Sequence, residues 1–174
     1  MEVRITVNKK ILIREISPDM MLIDFLRENG YTSVKRGCET SNCGLCTVHL
    51  NGKPVLSCST PAVRADGQQV TTLEGMQKDA AEIGGYIADE GAEQCGYCSP
   101  GFIMNIIAMK NEWVNEERTE ASEEDILSYL AGNLCRCTGY MGHIRALRRY
   151  FAAHSIEITG SHTDLSNDYI GEVK

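Results

Sequence analysis

GCETSNCGLCTVHLNGKPVLSC, residues 37–58, is the stretch around which the rest of this chain is organised. Its first three cysteines, Cys38, Cys43 and Cys46, have the spacing C-x4-C-x2-C, and Cys58 follows a short apolar passage typical of a strand. Four thiols so close together indicate metal coordination, because thiolates are soft metal ligands. Four residues between the first two cysteines are too many for the compact C-x2-C turn of most zinc sites.

This spacing is that of the cluster loop in plant-type [2Fe–2S] ferredoxins, in which a fourth cysteine follows further along the chain. Gly37 and Gly44 stand where such a loop must bend, and glycine accepts backbone conformations closed to other residues. Backbone N–H groups there can point at the cluster sulfurs and stabilise their negative charge. An iron–sulfur site is therefore favoured over zinc. His49 is expected to be an ordinary strand histidine, because a Rieske-type site needs two.

The composition restricts the classes of partner. At 174 residues the chain has room for one domain or two small ones. Its net charge of −7 argues against nucleic acid or an anionic membrane as the main partner. The N-terminus lacks the pattern of a signal peptide, and no apolar run approaches the roughly 18 residues that span a bilayer. We therefore expect a soluble, cytoplasmic protein.

The other four of the eight cysteines form a second set, with Cys95 and Cys98 in C-x2-C and Cys135 and Cys137 in C-x-C. Four disulfides are not expected in a reducing cytosol. The first pair directly precedes Ser99-Pro100, a helix start whose partial positive charge favours thiolate. A C-x-C pair is uncommon in zinc sites. The second set is thus also predicted to bind metal, with iron–sulfur favoured over zinc.

Residues 1–75 are predicted to form an α+β domain. Alternating hydrophobic residues on both sides of a polar turn at residues 8–10 predict a hairpin with one buried face. That face would carry Val3, Ile5 and Val7 on one strand and Ile11, Ile13 and Ile16 on the other. A helix capped by Ser17 or Asp19 is predicted at about residues 21–29. Further strands are predicted at about residues 47–50, 54–57 and 69–73.

Residues 76–155 are predicted to be helical and to form a compact four-helix bundle. The four helices are expected at about residues 79–90, 99–113, 122–132 and 143–153. Ser99 is predicted to be an N-cap, and Ser122 to open a capping box. Residues 156–174 form a polar tail without helix or strand periodicity, and we expect it to dock on a partner subunit. Its apolar anchors would be Leu165, Tyr169, Ile170 and Val173.

With both cysteine sets in view, the chain resembles the iron–sulfur subunit of molybdenum hydroxylases, the family of xanthine dehydrogenase, aldehyde oxidoreductase and carbon monoxide dehydrogenase. The resemblance covers about residues 3–153 and every signature cysteine. It rests on GCETSNCGLC with Cys58, on QCGYCSPG at 94–101, and on GNLCRCTGY at 132–140. The departures are Thr40-Ser41-Asn42, where a glycine-containing stretch is common, and Leu45 in place of the usual alanine.

The resemblance implies a plant-ferredoxin-like β-grasp domain followed by the helical domain, each with one [2Fe–2S] cluster. Cys95, Cys98, Cys135 and Cys137 would hold the cluster nearer a molybdenum–pterin cofactor on a large catalytic subunit. The first cysteine set would hold the outer cluster, facing FAD on a third subunit or another acceptor. Gln94 and Cys137 match positions that approach the pterin. The substrate of such a complex is open, with a purine or another N-heterocycle preferred on family frequency.

Two other functions are compatible with parts of the pattern. A free-standing two-cluster ferredoxin would have no use for Gln94 or for a helical second domain. A zinc-stabilised adaptor is disfavoured by both the C-x4-C and the C-x-C spacings. No pair of nucleophile and base indicates catalysis on this chain itself.

Overall fold

The computed structural model describes residues 1–160. Its N-terminal part is a five-stranded sheet with the order β2-β1-β5-β3-β4, in which only the β1–β5 pair is parallel. The helix α1 lies on one face of this sheet and buries Leu22, Phe25 and Leu26 in a shared core. The bounds are β1 Glu2–Val7, β2 Lys10–Glu15, α1 Leu22–Glu28, β3 Thr47–Leu50, β4 Lys53–Leu56 and β5 Gln69–Thr71.

The hairpin forms as predicted, but the predicted face of its second strand is wrong. Ile11 and Ile13 point to solvent, with 58% and 43% of their surfaces exposed, whereas Leu12 is 4% exposed and pairs with the buried Ile5. The turn contains only residues 8–9, both with positive φ, instead of the three residues predicted for it. Because side chains alternate along a strand, moving the strand start by one residue exchanges its two faces.

The C-terminal part contains four helices around one hydrophobic core. The helix α3 contributes more buried residues to this core than any other element, and α2, α4 and α5 pack against it or each other. A short parallel pair of strands, β6 and β7, closes one end. The bounds are α2 Gln77–Asp89, α3 Ser99–Asn115, β6 Glu120–Ser122, α4 Glu123–Leu130, α5 Met141–Ala153 and β7 Glu157–Thr159.

Of the three predicted N-caps, one is confirmed. Ser122 forms the expected capping box with Asp125 at the start of α4. At α3 the N-cap is Cys98, so Ser99 is already helical. At α1 the cap is Met21 without a side-chain bond, since Ser17 and Asp19 bond to each other instead.

The segment after α5 begins with a strand that the sequence did not predict. Ile156 and Ile158 are buried in the helical core, and β7 pairs with β6, so the prediction of no strand is wrong for these first residues. The apolar anchors proposed at 165–173 lie outside the described residues. Within residues 1–160, no helix is both long and apolar enough to cross a membrane.

The two parts of the chain meet where α3 packs on β3. His49 is buried there, and its Nε2 lies 2.8 Å from the main-chain oxygen of Met104. A Cβ atom on Gly101 would lie 2.3 Å from the main-chain oxygen of Gly44, so only glycine permits this approach of the α3 start to the first cysteine loop. The interface therefore positions Cys98, the N-cap of α3, close to the first cysteine set.

Candidate metal centres

The four thiols of the first set line one common pocket. They lie in two pairs, because the Cys38 thiol contacts that of Cys43 and the Cys46 thiol contacts that of Cys58. Cys43 and Cys46 are buried, and the other two are half-buried. The spacing C-x4-C-x2-C with a later fourth cysteine thus places the four thiols around one pocket, as two contacting pairs.

Backbone N–H groups point at the first sulfur of this set. The N–H groups of Thr40 and Asn42 lie 3.5 and 3.3 Å from Cys38 Sγ, and these hydrogen bonds lower the pKa of Cys38 to about 6. Burial has the opposite effect deeper in the loop, where it raises the pKa of Cys46 to about 11. The exposed side of the loop therefore favours thiolate without a metal, while the buried side needs a cation to become anionic.

The loop reaches this geometry through left-handed backbone at three positions. Gly44 has φ +70°, as expected of a bend, but Glu39 and Ser41 also have positive φ, 54° and 62°. At Gly37 the requirement is space, because a Cβ there would lie 3.1 Å from Cys43 Sγ. The segment Thr40-Ser41-Asn42, which departs from the family pattern, is thus a place where a non-glycine residue adopts a conformation suited to glycine.

The second set combines two loops that are distant in sequence. Cys95 and Cys98 precede α3, and Cys135 and Cys137 lie between α4 and α5. The sulfurs of Cys95 and Cys137 are 3.5 Å apart and exposed, while the Cys98 and Cys135 thiols contact each other further in. Burial raises the pKa of Cys98 to about 12. Gln94 Nε2 donates to the Cys137 main-chain oxygen at 3.0 Å, so both residues predicted to approach a pterin lie side by side.

Three residues that follow the C-x-C pair have contacts that the sequence did not predict. Tyr140 folds back over the loop, and its hydroxyl accepts a hydrogen bond from the Cys135 N–H at 2.7 Å. Thr138 Oγ1 lies 3.2 Å from Cys135 Sγ and also 3.2 Å from His143 Nδ1. Burial raises the pKa of the Cys135 thiol, but hydrogen bonds from Thr138 and neighbouring N–H groups outweigh it, and the pKa is lowered. Their nearness to Cys137 in CRCTGYMGH was the available signal.

Three hydrogen bonds connect the two cysteine loops. The Asn133 side-chain amide donates to the main-chain oxygen of Gly44 at 3.4 Å. The N–H of Leu134, the residue before Cys135, donates to the main-chain oxygen of Cys43 at 3.0 Å. The Tyr97 hydroxyl, next to Cys98, donates to the main-chain oxygen of Arg36 at 2.8 Å. Tyr97 therefore connects the second loop to the first.

The donor set fits a dinuclear iron–sulfur cluster at each site. Among residues 1–160, no three His, Cys, Asp or Glu side chains converge as the ligands of one metal ion would. Each site instead offers two contacting pairs of free thiols, and a [2Fe–2S] cluster needs two thiolates on each iron. At the first site, N–H groups aimed at sulfur add the hydrogen bonds that stabilise such a cluster. A structural zinc ion would need four thiols converging on one point.

Comparison with known proteins gives the same answer for both halves. Residues 5–73 match the family model described as a 2Fe-2S iron-sulfur cluster binding domain, and residues 72–148 match one described as a [2Fe-2S] binding domain. The nicotinate dehydrogenase small FeS subunit of Eubacterium barkeri is 42% identical over 136 residues, 76% of this chain and 83% of that protein. A probable xanthine dehydrogenase subunit from Bacillus subtilis is 40% identical, over 84% of this chain and 83% of its own length.

A solved structure extends the likeness to the fold. Quinoline 2-oxidoreductase from Pseudomonas putida 86 has a chain that is 35% identical, with a TM-score of 0.73, and the match covers 84% of this chain and 90% of that one. The mixed α+β fold, a ferredoxin-like domain followed by a helical one, is therefore correct. The chain belongs to the family of small iron–sulfur subunits of molybdenum hydroxylases, which are the electron-transfer subunits of oxidoreductase complexes.

Proposed function

We propose that this chain relays single electrons from a molybdenum–pterin centre on a large catalytic partner to FAD on a further subunit, or to another acceptor. Two [2Fe–2S] clusters would supply one-electron redox chemistry when bound. The observation that carries the proposal is the pair of thiol quartets joined by the Cys43–Leu134 hydrogen bond. The inner quartet is Cys95, Cys98, Cys135 and Cys137, and the outer quartet is Cys38, Cys43, Cys46 and Cys58.

The surface around the inner quartet supports its role as the electron entry. Cys95 and Cys137 are exposed, and two large apolar side chains beside this loop are also exposed, Leu134 by 52% and Met141 by 43%. Apolar side chains grouped around a polar centre are typical of a protein interface. The amide of Gln94, held by the Cys137 carbonyl, is available to a ring with hydrogen-bonding edges. Gln94 and Cys137 are thus the residues that we assign to pterin contact.

The chain itself offers a short route from the inner to the outer quartet. From Cys135 the route passes along one peptide unit to Leu134, across one 3.0 Å hydrogen bond to the Cys43 carbonyl, and on to the Cys43 side chain. The buried Cys43 and Cys46 keep water from the middle of the route, while the half-buried Cys38 and Cys58 form its outer end. This supports an outer quartet that delivers electrons to FAD or another acceptor.

The finer organisation is part of the same proposal. The sheet crossed by α1 supports a β-grasp domain at residues 1–75, and four helices with a shared core support a four-helix bundle at residues 76–155. Residues 156–174 would then dock on a partner subunit beyond β7. Eight free thiols support a reducing compartment, the cytoplasm. The names of relatives that act on nicotinate, xanthine and quinoline favour an N-heterocyclic substrate for the complex.

The test is anaerobic purification of the full chain with whatever copurifies. We expect about two irons and two sulfides per cluster, as a [2Fe–2S] centre requires. The reduced protein should give two distinct EPR signals, and a large molybdenum-containing chain should copurify. A colourless zinc protein would refute the proposal and favour an adaptor. A monomer with two clusters and no partner chain would favour a free ferredoxin.

A further inference from the structure

A chain of three side chains runs from the inner quartet into the helical core. It begins at Cys135 Sγ, passes through Thr138 Oγ1 at 3.2 Å and ends at His143 Nδ1, a further 3.2 Å away. We propose that His143 is a positioning residue, which orients the Thr138 hydroxyl toward the Cys135 thiolate and so raises the reduction potential of the inner cluster. This inference rests on the proposed function, because it requires a cluster at the inner quartet.

The direction of each hydrogen bond follows from the chemistry of the end group. A thiolate bound to iron can only accept, so in the bond between Thr138 and Cys135 Sγ the hydroxyl is the donor and uses its one proton there. The Thr138 oxygen is then left to accept, and it does so from the Tyr140 N–H at 3.3 Å. His143 Nδ1 can only complete this arrangement as a donor. The imidazole is therefore the tautomer with its proton on Nδ1.

The surroundings of His143 hold the ring in this orientation. It is 2% exposed, and its ring packs on that of Phe102 with 4.6 Å between centroids. It also lines an apolar groove with Leu127, Leu130 and Ile144, and no charged residue lines that groove. Burial lowers the pKa of His143, so the neutral ring is the form present at physiological pH. A neutral ring with one fixed donor acts through geometry, without adding a charge.

The consequence concerns the inner cluster alone. Reduction adds negative charge, and a donor aimed at a ligand sulfur stabilises the reduced form more than the oxidised form. Because hydrogen bonds in a chain polarise one another, a donor at Nδ1 strengthens the O–H donation to sulfur. The outer quartet has its own N–H donors, from Thr40 and Asn42. Its potential should therefore be independent of His143.

Matched substitutions at His143 test this inference in the full chain with its copurifying partners. In H143N an amide N–H can take the place of Nδ1–H, whereas H143L fills the space without a donor. EPR-monitored redox titration should show the one-electron equilibrium of the inner cluster shifted about tenfold toward the oxidised state in H143L, which is about 59 mV lower. H143N should stay within about threefold of the wild type, roughly half that change in potential.

Thr138 provides the same comparison from the other side of the bond. T138V removes the donor to sulfur and should lower the potential by at least as much as H143L, while T138S keeps the hydroxyl and should restore it. The signal of the outer cluster is the internal control and should not move. Equal inner potentials in H143L, H143N and the wild type would overturn the inference while leaving the proposed function intact. A wild-type protein without the inner EPR signal would overturn both.

Discussion

The two thiol quartets are built in opposite ways. The outer quartet lies within residues 38–58 of one domain and lines one pocket, with two of its thiols buried. The inner quartet takes two pairs from loops at 95–98 and 135–137, and leaves Cys95 and Cys137 exposed. A local loop can form its site before the rest of the chain has packed. A site assembled from distant loops depends on α3, α4 and α5 being in place.

The means of support differ as well. In the outer loop, backbone N–H groups are aimed at sulfur, and Glu39, Ser41 and Gly44 have left-handed backbone. In the inner loops, the side chains of Gln94, Thr138 and Tyr140 contact the cysteines. The difference suggests that the outer site tolerates side-chain changes nearby, whereas the potential and the assembly of the inner site can be adjusted by single substitutions.

Removing one ligand from each quartet is the most severe test of this separation. C46S should abolish the outer EPR signal, and C98S the inner one, because serine is a poor ligand for this soft metal site. Each variant should retain about half of the wild-type iron and sulfide, since each domain has its own hydrophobic core. Iron analysis and EPR of the reduced variants make the measurement. Loss of both signals in either variant would show that the two sites form as one unit.

The contact between the domains is the next target. In G101A the new Cβ would meet the main-chain oxygen of Gly44 at 2.3 Å and the Cα of Leu45 at 2.8 Å, and backbone atoms cannot move aside cheaply. We expect a loss of about 3 kcal/mol or more in the free energy of unfolding, since overpacking a tight contact is this costly. Denaturant unfolding of the holoprotein measures it.

G85A in α2 is the matched control, because a Cβ there meets nothing within 4 Å. An alanine in that exposed helical position should stabilise by roughly 0.5–1 kcal/mol. If G101A were as stable as G85A, α3 would not be packed on the first cysteine loop as described. Some other contact would then have to hold the two quartets close together.

Local chemistry explains which features could be predicted from the sequence. Cysteine spacing alone identifies the two sets of four cysteines, and the capping box at Ser122 depends only on residues three positions apart. The hairpin face could not be read so safely, because Ile11, Leu12 and Ile13 are all apolar and one residue in the turn decides between them. When both alternations are apolar, the periodicity carries no information about which face is buried.

The missed residues around the inner quartet have a tertiary cause. Thr138 and His143 are ordinary residues at a loop and a helix start, and they become partners of Cys135 only when α5 packs on Phe102. The β6–β7 pair is likewise invisible locally, since each strand has three residues and its partner is distant in sequence. Contacts of this kind depend on packing that no short pattern encodes.

A buried histidine makes the domain contact sensitive to pH. Burial lowers the pKa of His49 below its ordinary value of about 6.5, so the unfolded chain binds the proton more tightly than the folded one. Protonation thus favours unfolding: the stability that His49 allows is complete above about pH 6.5 and decreases as the pH falls through that value toward the lower folded pKa. We expect the wild type to lose stability between about pH 7.5 and 5.5, measured by unfolding at each pH.

H49Q isolates this contribution from that of other groups. Its Nε2–H can still donate to the Met104 carbonyl, but glutamine does not titrate. The stability of H49Q should therefore fall less steeply than that of the wild type over the same pH interval. At the upper end of the interval, H49Q should be less stable than the wild type by about 1 kcal/mol or less. If the free energy of unfolding fell equally steeply with pH in both proteins, His49 would not be the group responsible for the loss of stability.

The smallest expected effect concerns the backbone of the two loops. Ser41 in the outer loop has φ +62°, a conformation that costs a non-glycine residue about 1–2 kcal/mol. S41G should remove this strain, but the freer unfolded chain offsets about 0.4–1 kcal/mol of the gain. We expect a net stabilisation of up to about 1 kcal/mol. The weak contact between Ser41 Oγ and Cys58 Sγ, at 3.9 Å, is too long to change this sign.

Gly139 in the inner loop provides the reciprocal change. Its φ is +65° and a Cβ there would meet nothing within 4 Å, so G139A introduces the same backbone strain without a clash. It should destabilise by about 1 kcal/mol, opposite in sign to S41G. Equal and opposite shifts in unfolding midpoint would show that both loops obey the same backbone rule and differ only in the residue that occupies the left-handed position. If S41G destabilised instead, the serine side chain would hold the outer loop, and that loop would depend on side chains as the inner one does.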